Sequence, residues 1–381
     1  MTLCTFSKTW ITVDVGARTV GACCRTEQIP VTGAIDINSD WHTSLRRNLA
    51  AGQQDPRCTA CWQQEKNIGT SLRLNGPYGL TTHTADPTVA DLQYLEIRLG
   101  NQCDGACVYC GGNFSVKQAK FWKLHSNIDQ PRTQEPMTAE IQALIQQNTD
   151  SLREIVFLGG EPTLMESWYD FLEFVSCQQF AHPVKVVVTS NCNWTSKIKS
   201  RFFAAVEKFL AQGGRFDLRI SGEGDQDYFN RIRKFSDYDT VIDNVKDLLA
   251  QFGNRISYTL QPVLNGISVY SMTSWLTVFH NMFHGSPVSN VGLNFAMLTR
   301  PAEFLTIHQG RQAVPSLEAA IEFLHSTDLF RPRDRMIAVL QSQISLLTMD
   351  KNTEAMARLE ALLAAHDRIL PHTWSSVDAL L

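Results

Sequence analysis

"YLEIRLGNQCDGACVYC", residues 94–110, decides how the chain is read. Its first part, "YLEIRLG", is a short apolar run of strand length. Its second part puts three cysteines, Cys103, Cys107 and Cys110, into eight residues, at spacings of three and two intervening positions. A thiol-rich loop directly after a strand is a candidate for chemistry. In parallel α/β sheets, ligands gather at the C-terminal ends of the strands.

Five more such runs follow: "EIVFLGG" (154–160), "KVVVTSN" (185–191), "FDLRISG" (216–222), "ISYTLQPVL" (256–264) and "VGLNFAML" (291–298). Segments of helical periodicity separate them, among them "TAEIQALIQQN", "WYDFLEFVSCQQ", "KIKSRFFAAVEKFLAQ", "YDTVIDNVKDLLAQFG" and "SMTSWLTVFHNMF". Strands alternating with helices predict an α/β fold with a parallel sheet and crossover connections. Six units are too few for a closed eight-unit barrel, so the expectation is an open, partial (β/α)6 barrel over residues 94–300. Residues 301–381 read as a helical C-terminal extension packed on the barrel. Residues 76–93, rich in Gly, Pro, Thr and Asp, read as a linker. Residues 1–75 read as a small cysteine-rich domain. There "TWITVDVG" alternates like a strand, "RTVGACC" is its expected hairpin partner, and "SDWHTSLRRNLAAG" is a short helix.

Composition narrows the class. The 44% hydrophobic and 19% charged content is that of a globular protein with room for a large core. A net charge of -4 supplies no overall basic field, so nucleic acid is not expected as a partner. No apolar run reaches membrane-spanning length, and the N-terminus lacks the pattern of a secretory signal, so a cytoplasmic chain is expected. Ten cysteines in a reducing compartment read as metal or cluster ligands rather than a disulfide framework. Cys177 and Cys192 stand outside the groups and read as inert core thiols. The histidines are scattered without ligand spacing, and no nucleophile elbow is present.

Three thiolates can hold three irons of a [4Fe–4S] cluster and leave the fourth open to an outside ligand. A structural zinc site would need a fourth protein ligand, and no histidine follows the triplet before His125. The glycines of "GGNFS" after Cys110 read as the turn that closes this loop.

The C-x3-C-x2-C spacing, with Tyr109 before the last cysteine, resembles the signature of the radical S-adenosylmethionine (SAM) superfamily. "LGGEPTL", at the end of the second run, resembles that family's GGE motif. The resemblance implies that Gly159, Gly160 and Glu161 hold the methionine amino group of SAM. Glycines allow close backbone approach, and a carboxylate accepts a charge-assisted hydrogen bond from an ammonium. "TSN" (189–191) matches a polar turn near SAM. "ISGEG" (220–224) resembles the family's ribose-contacting segment, with Ser221 as the contact and Glu223 in place of the usual Asp. Arg233, in "YFNRIRK", falls where relatives carry an arginine that reaches the SAM carboxylate; Arg231 is the alternative by one register. Ser221 as a plain turn residue and Arg233 on a solvated helix face remain open. "QPVLN" (261–265) resembles a family segment of unassigned chemistry.

The resemblance covers roughly residues 94–300. It implies reductive cleavage of SAM, a 5′-deoxyadenosyl radical that abstracts hydrogen from a substrate, and an electron donor such as flavodoxin or ferredoxin. The substrate is expected to be a peptide or protein, or a small molecule. A noncatalytic scaffold stabilised by zinc or a cluster is the competing class.

The N-terminal cysteines form a second set. Cys4, Cys23 or Cys24, and Cys58 with Cys61 in "CTACW" resemble the auxiliary-cluster segment of SPASM and twitch domains. Those extensions usually follow the radical SAM core, whereas this segment precedes it. Four thiolates would fully ligate a second [4Fe–4S] cluster, suited to electron transfer or architecture. A four-cysteine zinc site remains open. Cys23 is preferred to Cys24; neighbours on a strand point to opposite faces, so only one can face the metal. Trp62 is expected to pack beside the site.

Overall fold

The N-terminal hairpin forms as expected: β1 (Trp10–Asp14) pairs antiparallel with β2 (Thr19–Gly21). A short edge strand, β3 (Ile29–Pro30), lies beyond β2, where a proline costs no ladder hydrogen bond. On its other side β1 pairs in parallel with β4 (Tyr94–Arg98), in the register Trp10↔Tyr94 to Asp14↔Arg98. The sequence predicted a separate N-terminal domain and no such pairing. Burial explains it: Trp10, Ile11, Thr12 and Val13 are all buried, so both faces of β1 are covered, as in an interior strand rather than a half-exposed hairpin.

The computed structural model describes residues 4–68, 71–74, 86, 88–127, 137–298, 304–347 and 351–370. Most of the predicted linker (76–93) and the last eleven residues of the C-terminal extension lie outside the described residues. The described chain falls into two units. The first lies within Met1–Gly100, Pro131–Val187 and Ala204–Arg215, and the second within Asn101–Gln130, Val188–Phe203 and Phe216–Leu381.

In the first unit, β4 pairs in parallel with β5 (Glu154–Leu158). The start of β6 (Lys185–Ser190) follows, giving the order β3-β2-β1-β4-β5-β6. Ile155, Val156 and Phe157 are fully buried, as are Val186 and Val187, the near-continuous apolar pattern of strands covered on both faces. Helix Glu166–Ser176 packs by Phe171 on Phe157, ring centroids 5.9 Å apart.

In the second unit the order runs from the end of β6 to β7 (Arg215–Ile220), β8 (Ser257–Leu260), β9 (Val291–Leu293) and β10 (Phe330–Arg331), with β7 to β10 parallel. The run "ISYTLQPVL" does not form one strand. Pro262 has no N–H to donate, and Val263–Leu264 pairs instead with Ala296–Met297. The C-terminal extension is helical, at Val314–His325, Arg333–Leu346 and Thr353–Ile369. The last helix starts where the Ala355 N–H donates to Asn352 Oδ1 at 2.9 Å. Its Leu359, Leu362 and Leu363 cluster with Ala106, Val108 and Phe121, so its apolar face lies on the cysteine loop.

Cys192 is a buried core thiol, as expected, but Cys177 is exposed. Cys177 is the C-cap of helix Glu166–Ser176, two positions past Val175, the last buried residue of that helix.

Helix Asp40–Ala50 carries a buried histidine, His42, with Nδ1 3.0 Å from the Ser39 hydroxyl. Burial, and then the Arg46 cation, push its pKa down to about 4. The imidazole is therefore held neutral in the fold, while the unfolded chain binds a proton below about pH 6.5. Stability from this group is complete above that pH and is lost as pH falls toward 4, by about 2 kcal/mol at pH 5. Denaturant midpoints of the metal-free protein at pH 7 and pH 5 should show this loss, and His42→Gln should lose less. An equal loss in both proteins would remove His42 as the source.

Candidate active site

The cysteine loop leaves β4 and is tied shut by its own polar groups. Buried Asn101 donates through Nδ2 to Gly112 O at 3.1 Å. The Val116 N–H donates to Asn101 O at 2.9 Å, and the Ser115 hydroxyl to Gly105 O at 2.7 Å. "GGNFS" is the closing turn, with the Phe114 N–H donating to Gly111 O at 3.0 Å. Helix Val116–Ser126 satisfies the loop's outer carbonyls. Gln118 donates to Cys107 O at 2.5 Å, and the Trp122 indole to Cys110 O at 3.2 Å.

Cys103, Cys107 and Cys110 are half-buried on this loop. The Gly105 N–H donates to Cys103 Sγ at 3.4 Å. Burial raises the Cys107 thiol, and the Arg233 cation opposes that rise. Burial and the neighbouring Cys107 push Cys110 up to about 12.

Asp104, which the sequence reading passed over, anchors the loop to the segment after β6. Its carboxylate accepts from Asn191 Nδ2 at 2.7 Å and from Asn193 Nδ2 at 2.8 Å. The Lys117 ammonium donates to the Asp104 carbonyl at 2.5 Å. In "TSN", then, the Asn191 side chain holds the cysteine loop. An acid placed inside the triplet was the available signal.

Ala106–Cys107 pairs antiparallel with Arg233–Lys234, with Cys107 opposite Arg233. The Arg233 guanidinium reaches Glu223 through Nε at 3.2 Å and Nη2 at 2.8 Å. The Tyr109 hydroxyl donates to Glu223 Oε1 at 2.6 Å. Burial holds the Tyr109 hydroxyl well above its usual pKa, so it stays protonated. Arg231 is exposed and paired with Glu360 at 3.0 Å, so Arg233 is the arginine at the cysteine loop. Ser221 is half-buried, and its N–H donates to Ser190 O at 2.8 Å.

In the first unit the GGE segment follows β5. Gly159 has φ +136, and a Cβ there would stand 2.9 Å from Gly100 O. The Gly160 N–H donates to that same oxygen at 2.7 Å. The glycines thus let the ends of β4 and β5 meet backbone to backbone. Glu161 is 2% exposed, and its Oε1 accepts from the Thr163 hydroxyl at 2.6 Å and the Thr163 N–H at 3.3 Å.

Cys4, Cys23, Cys58 and Cys61 line one cavity in the first unit. Cys58 ends a 3-10 turn, Pro56–Cys58, and Cys61 lies in the first turn of helix Thr59–Ile68. Asp55 caps that turn. Its hydrogen bonds to the Arg57 side chain, with an ion pair at 2.6 Å, hold its pKa at about 2. The Arg25 N–H donates to Cys23 Sγ at 3.4 Å. Burial pushes Cys23 and Cys58 each up to about 12. Cys24 does not line the cavity; it is half-buried, within the fields of Glu96 and Arg98. The Trp62 indole donates to Asp55 O at 2.8 Å, with the Arg73 guanidinium 4.5 Å from its ring centroid.

Residues 97–269 match the Radical SAM superfamily. The chain carries a radical SAM domain. Cys103, Cys107, Cys110, the GGE segment, Ser221 and Arg233 all lie inside the radical SAM domain, and the four N-terminal cysteines lie outside it. No curated protein matches the sequence. Among solved structures, SuiB of Streptococcus suis bound to precursor peptide SuiA aligns over 85% of this chain and 71% of its own, with 14% identity and a TM-score of 0.43. SuiB bound to S-adenosylmethionine aligns over the same shares, at 13% identity and 0.43. TYW1 with a lysine-pyruvate adduct bound aligns over 62% of this chain and 72% of that one, at 15% identity and 0.35. At this level of likeness the geometry of the site has to carry the functional reading.

A [4Fe–4S] cluster fits the radical SAM domain's donor set: three thiols on one pinned loop, two of them facing N–H donors. Among the described residues, no three His, Cys, Asp or Glu side chains stand close enough to hold one metal ion. A cluster asks less, because each thiolate bonds its own iron. No helix among the described residues is long and apolar enough to cross a membrane.

Proposed function

We propose that this radical SAM enzyme cleaves SAM at a [4Fe–4S] cluster held by Cys103, Cys107 and Cys110, and thereby modifies a peptide, a protein or a small molecule. The observation that carries this reading is the three-thiol loop, pinned at the end of β4 within the radical SAM domain. When bound, the cluster and SAM supply one-electron reductive cleavage to a 5′-deoxyadenosyl radical, the electron coming from a donor such as flavodoxin or ferredoxin. The protein's share is orientation and exclusion of water. Glu161, with Gly159 and Gly160, holds the methionine ammonium. Ser221 contacts the ribose, Arg233 the carboxylate, and Tyr109 is a further SAM-binding residue. Cys4, Cys23, Cys58 and Cys61 hold a second [4Fe–4S] cluster in a SPASM- or twitch-like segment over residues 1–75. The chain works in the cytoplasm.

Anaerobic reconstitution with iron and sulfide, followed by SAM and dithionite, tests the proposal. 5′-Deoxyadenosine should form. A fully loaded protein that forms none is a scaffold rather than an enzyme.

Glu161→Ala separates SAM binding from cluster assembly. Loss of a charge-assisted hydrogen bond should weaken SAM by about 1.5–3 kcal/mol, with iron content unchanged. Titration calorimetry reads the affinity, and an unaltered value would remove Glu161 from the site.

A further inference from the structure

We propose that Glu223 is a positioning residue: it holds the Arg233 guanidinium against the Cys107 sulfur, and through that contact raises the reduction potential of the cluster. The proposal rests on the reading above that Cys107 is a cluster ligand.

The geometry over-determines Arg233. Its backbone is paired opposite Cys107. Its side chain is clamped by a fork, Nε to Glu223 Oε1 at 3.2 Å and Nη2 to Oε2 at 2.8 Å. The second Nη2 proton goes to the Tyr109 oxygen at 3.2 Å. Nη1 is left, and it lies 3.9 Å from Cys107 Sγ. Glu223 is itself fixed, accepting from the Tyr109 hydroxyl at 2.6 Å and the Val263 N–H at 3.4 Å. Glu223 is 0% exposed and Arg233 4%, so water does not screen the arrangement.

A guanidinium has five N–H donors. Three go to Glu223 and Tyr109 and one faces the sulfur, so one Nη1 proton remains for a bound carboxylate. Holding the sulfur and contacting SAM are therefore compatible. The field along the loop is uneven: Cys103 Sγ lies 3.9 Å from the Asp104 carboxylate, while Cys107 faces a cation. Hydrogen bonds to cluster sulfurs are among the features that set the potential of an iron–sulfur centre. A donor and positive charge at Cys107 favour the state that has gained an electron, here the one-electron step from 2+ to 1+ driven by an external low-potential reductant. In a buried site this interaction is stronger than in water. A carboxylate of Glu length is needed for the fork. Shortening it by one methylene keeps the charge and withdraws the reach.

The test is a mediator titration of reconstituted full-length protein without SAM, following the electron-spin signal that later changes when SAM is added. Arg233→Gln should shift that signal's midpoint to a more negative potential, with Arg233→Lys restoring part of the shift. Glu223→Asp should shift it the same way by less, and Tyr109→Phe by less again. Arg231→Gln, an exposed residue paired with Glu360, should leave it in place. Equal midpoints in wild type and Arg233→Gln at full iron loading would overturn the proposal. Should Arg233→Gln fail to load, unshifted midpoints in loaded Glu223→Asp and Tyr109→Phe would overturn it equally. A wild type with no SAM-responsive signal would instead remove the cluster reading, and this inference with it.

Discussion

The variant with Cys103, Cys107 and Cys110 all replaced by Ala should form no 5′-deoxyadenosine and should lose about four of about eight irons per chain. The expected loss is complete because the loop offers no substitute thiol: the other seven cysteines lie elsewhere in the sequence. The fold should survive the change. The loop is closed by Asn101 to Gly112 and by Ser115 to Gly105, and it is anchored through Asp104 to Asn191 and Asn193, none of which uses a sulfur. A melting curve like that of the metal-free wild type would show that the missing activity reflects the missing ligands. Surviving SAM cleavage in the triple variant would end the assignment.

The second large effect belongs to the N-terminal cavity. Cys58→Ala with Cys61→Ala should remove the other four or so irons and leave the SAM-responsive signal in place. Single substitutions sharpen this. Cys23→Ala should cost the second cluster, and Cys24→Ala should not. Cys23 shares the cavity with Cys4, Cys58 and Cys61, and its sulfur already accepts the Arg25 N–H. Cys24 does not line that cavity and lies instead within the fields of Glu96 and Arg98. Iron and sulfide analysis, with zinc measured in parallel, decides between the alternatives. Zinc without sulfide at this site would make it a structural zinc knot and remove the electron-transfer role. Iron loss on Cys24→Ala would make Cys24 the ligand.

Much of this protein is legible in its sequence, and for one reason. The six apolar runs became strands, and the tail became helices, because periodicity and chain punctuation are local properties. The three-thiol loop was visible because its ligands lie within eight residues, and "GGNFS" because a turn is built from neighbours. Where a local rule was overridden, a local cause remains identifiable, as with Pro262 dividing the fifth run.

Tertiary structure decided what joins distant parts of the chain. Alternation in "TWITVDVG" predicts a strand but not its parallel partner; the pairing of Trp10 with Tyr94 depends on what covers both faces of β1. The choice of Cys23 over Cys24 was not a matter of strand faces: β2 ends at Gly21, both cysteines lie in the turn beyond it, and that turn brings Cys23 to the cavity with Cys58 and Cys61. Asp104 takes its role from Asn191 and Asn193, more than eighty positions away. Cys177 is exposed because its helix ends one residue before it. Glu223 looked like an ordinary replacement for Asp until Arg233, Tyr109 and Cys107 were brought around it. Composition and spacing state which groups a chain owns. Register and side-chain direction, which arise only when elements pack against one another, state which of those groups meet.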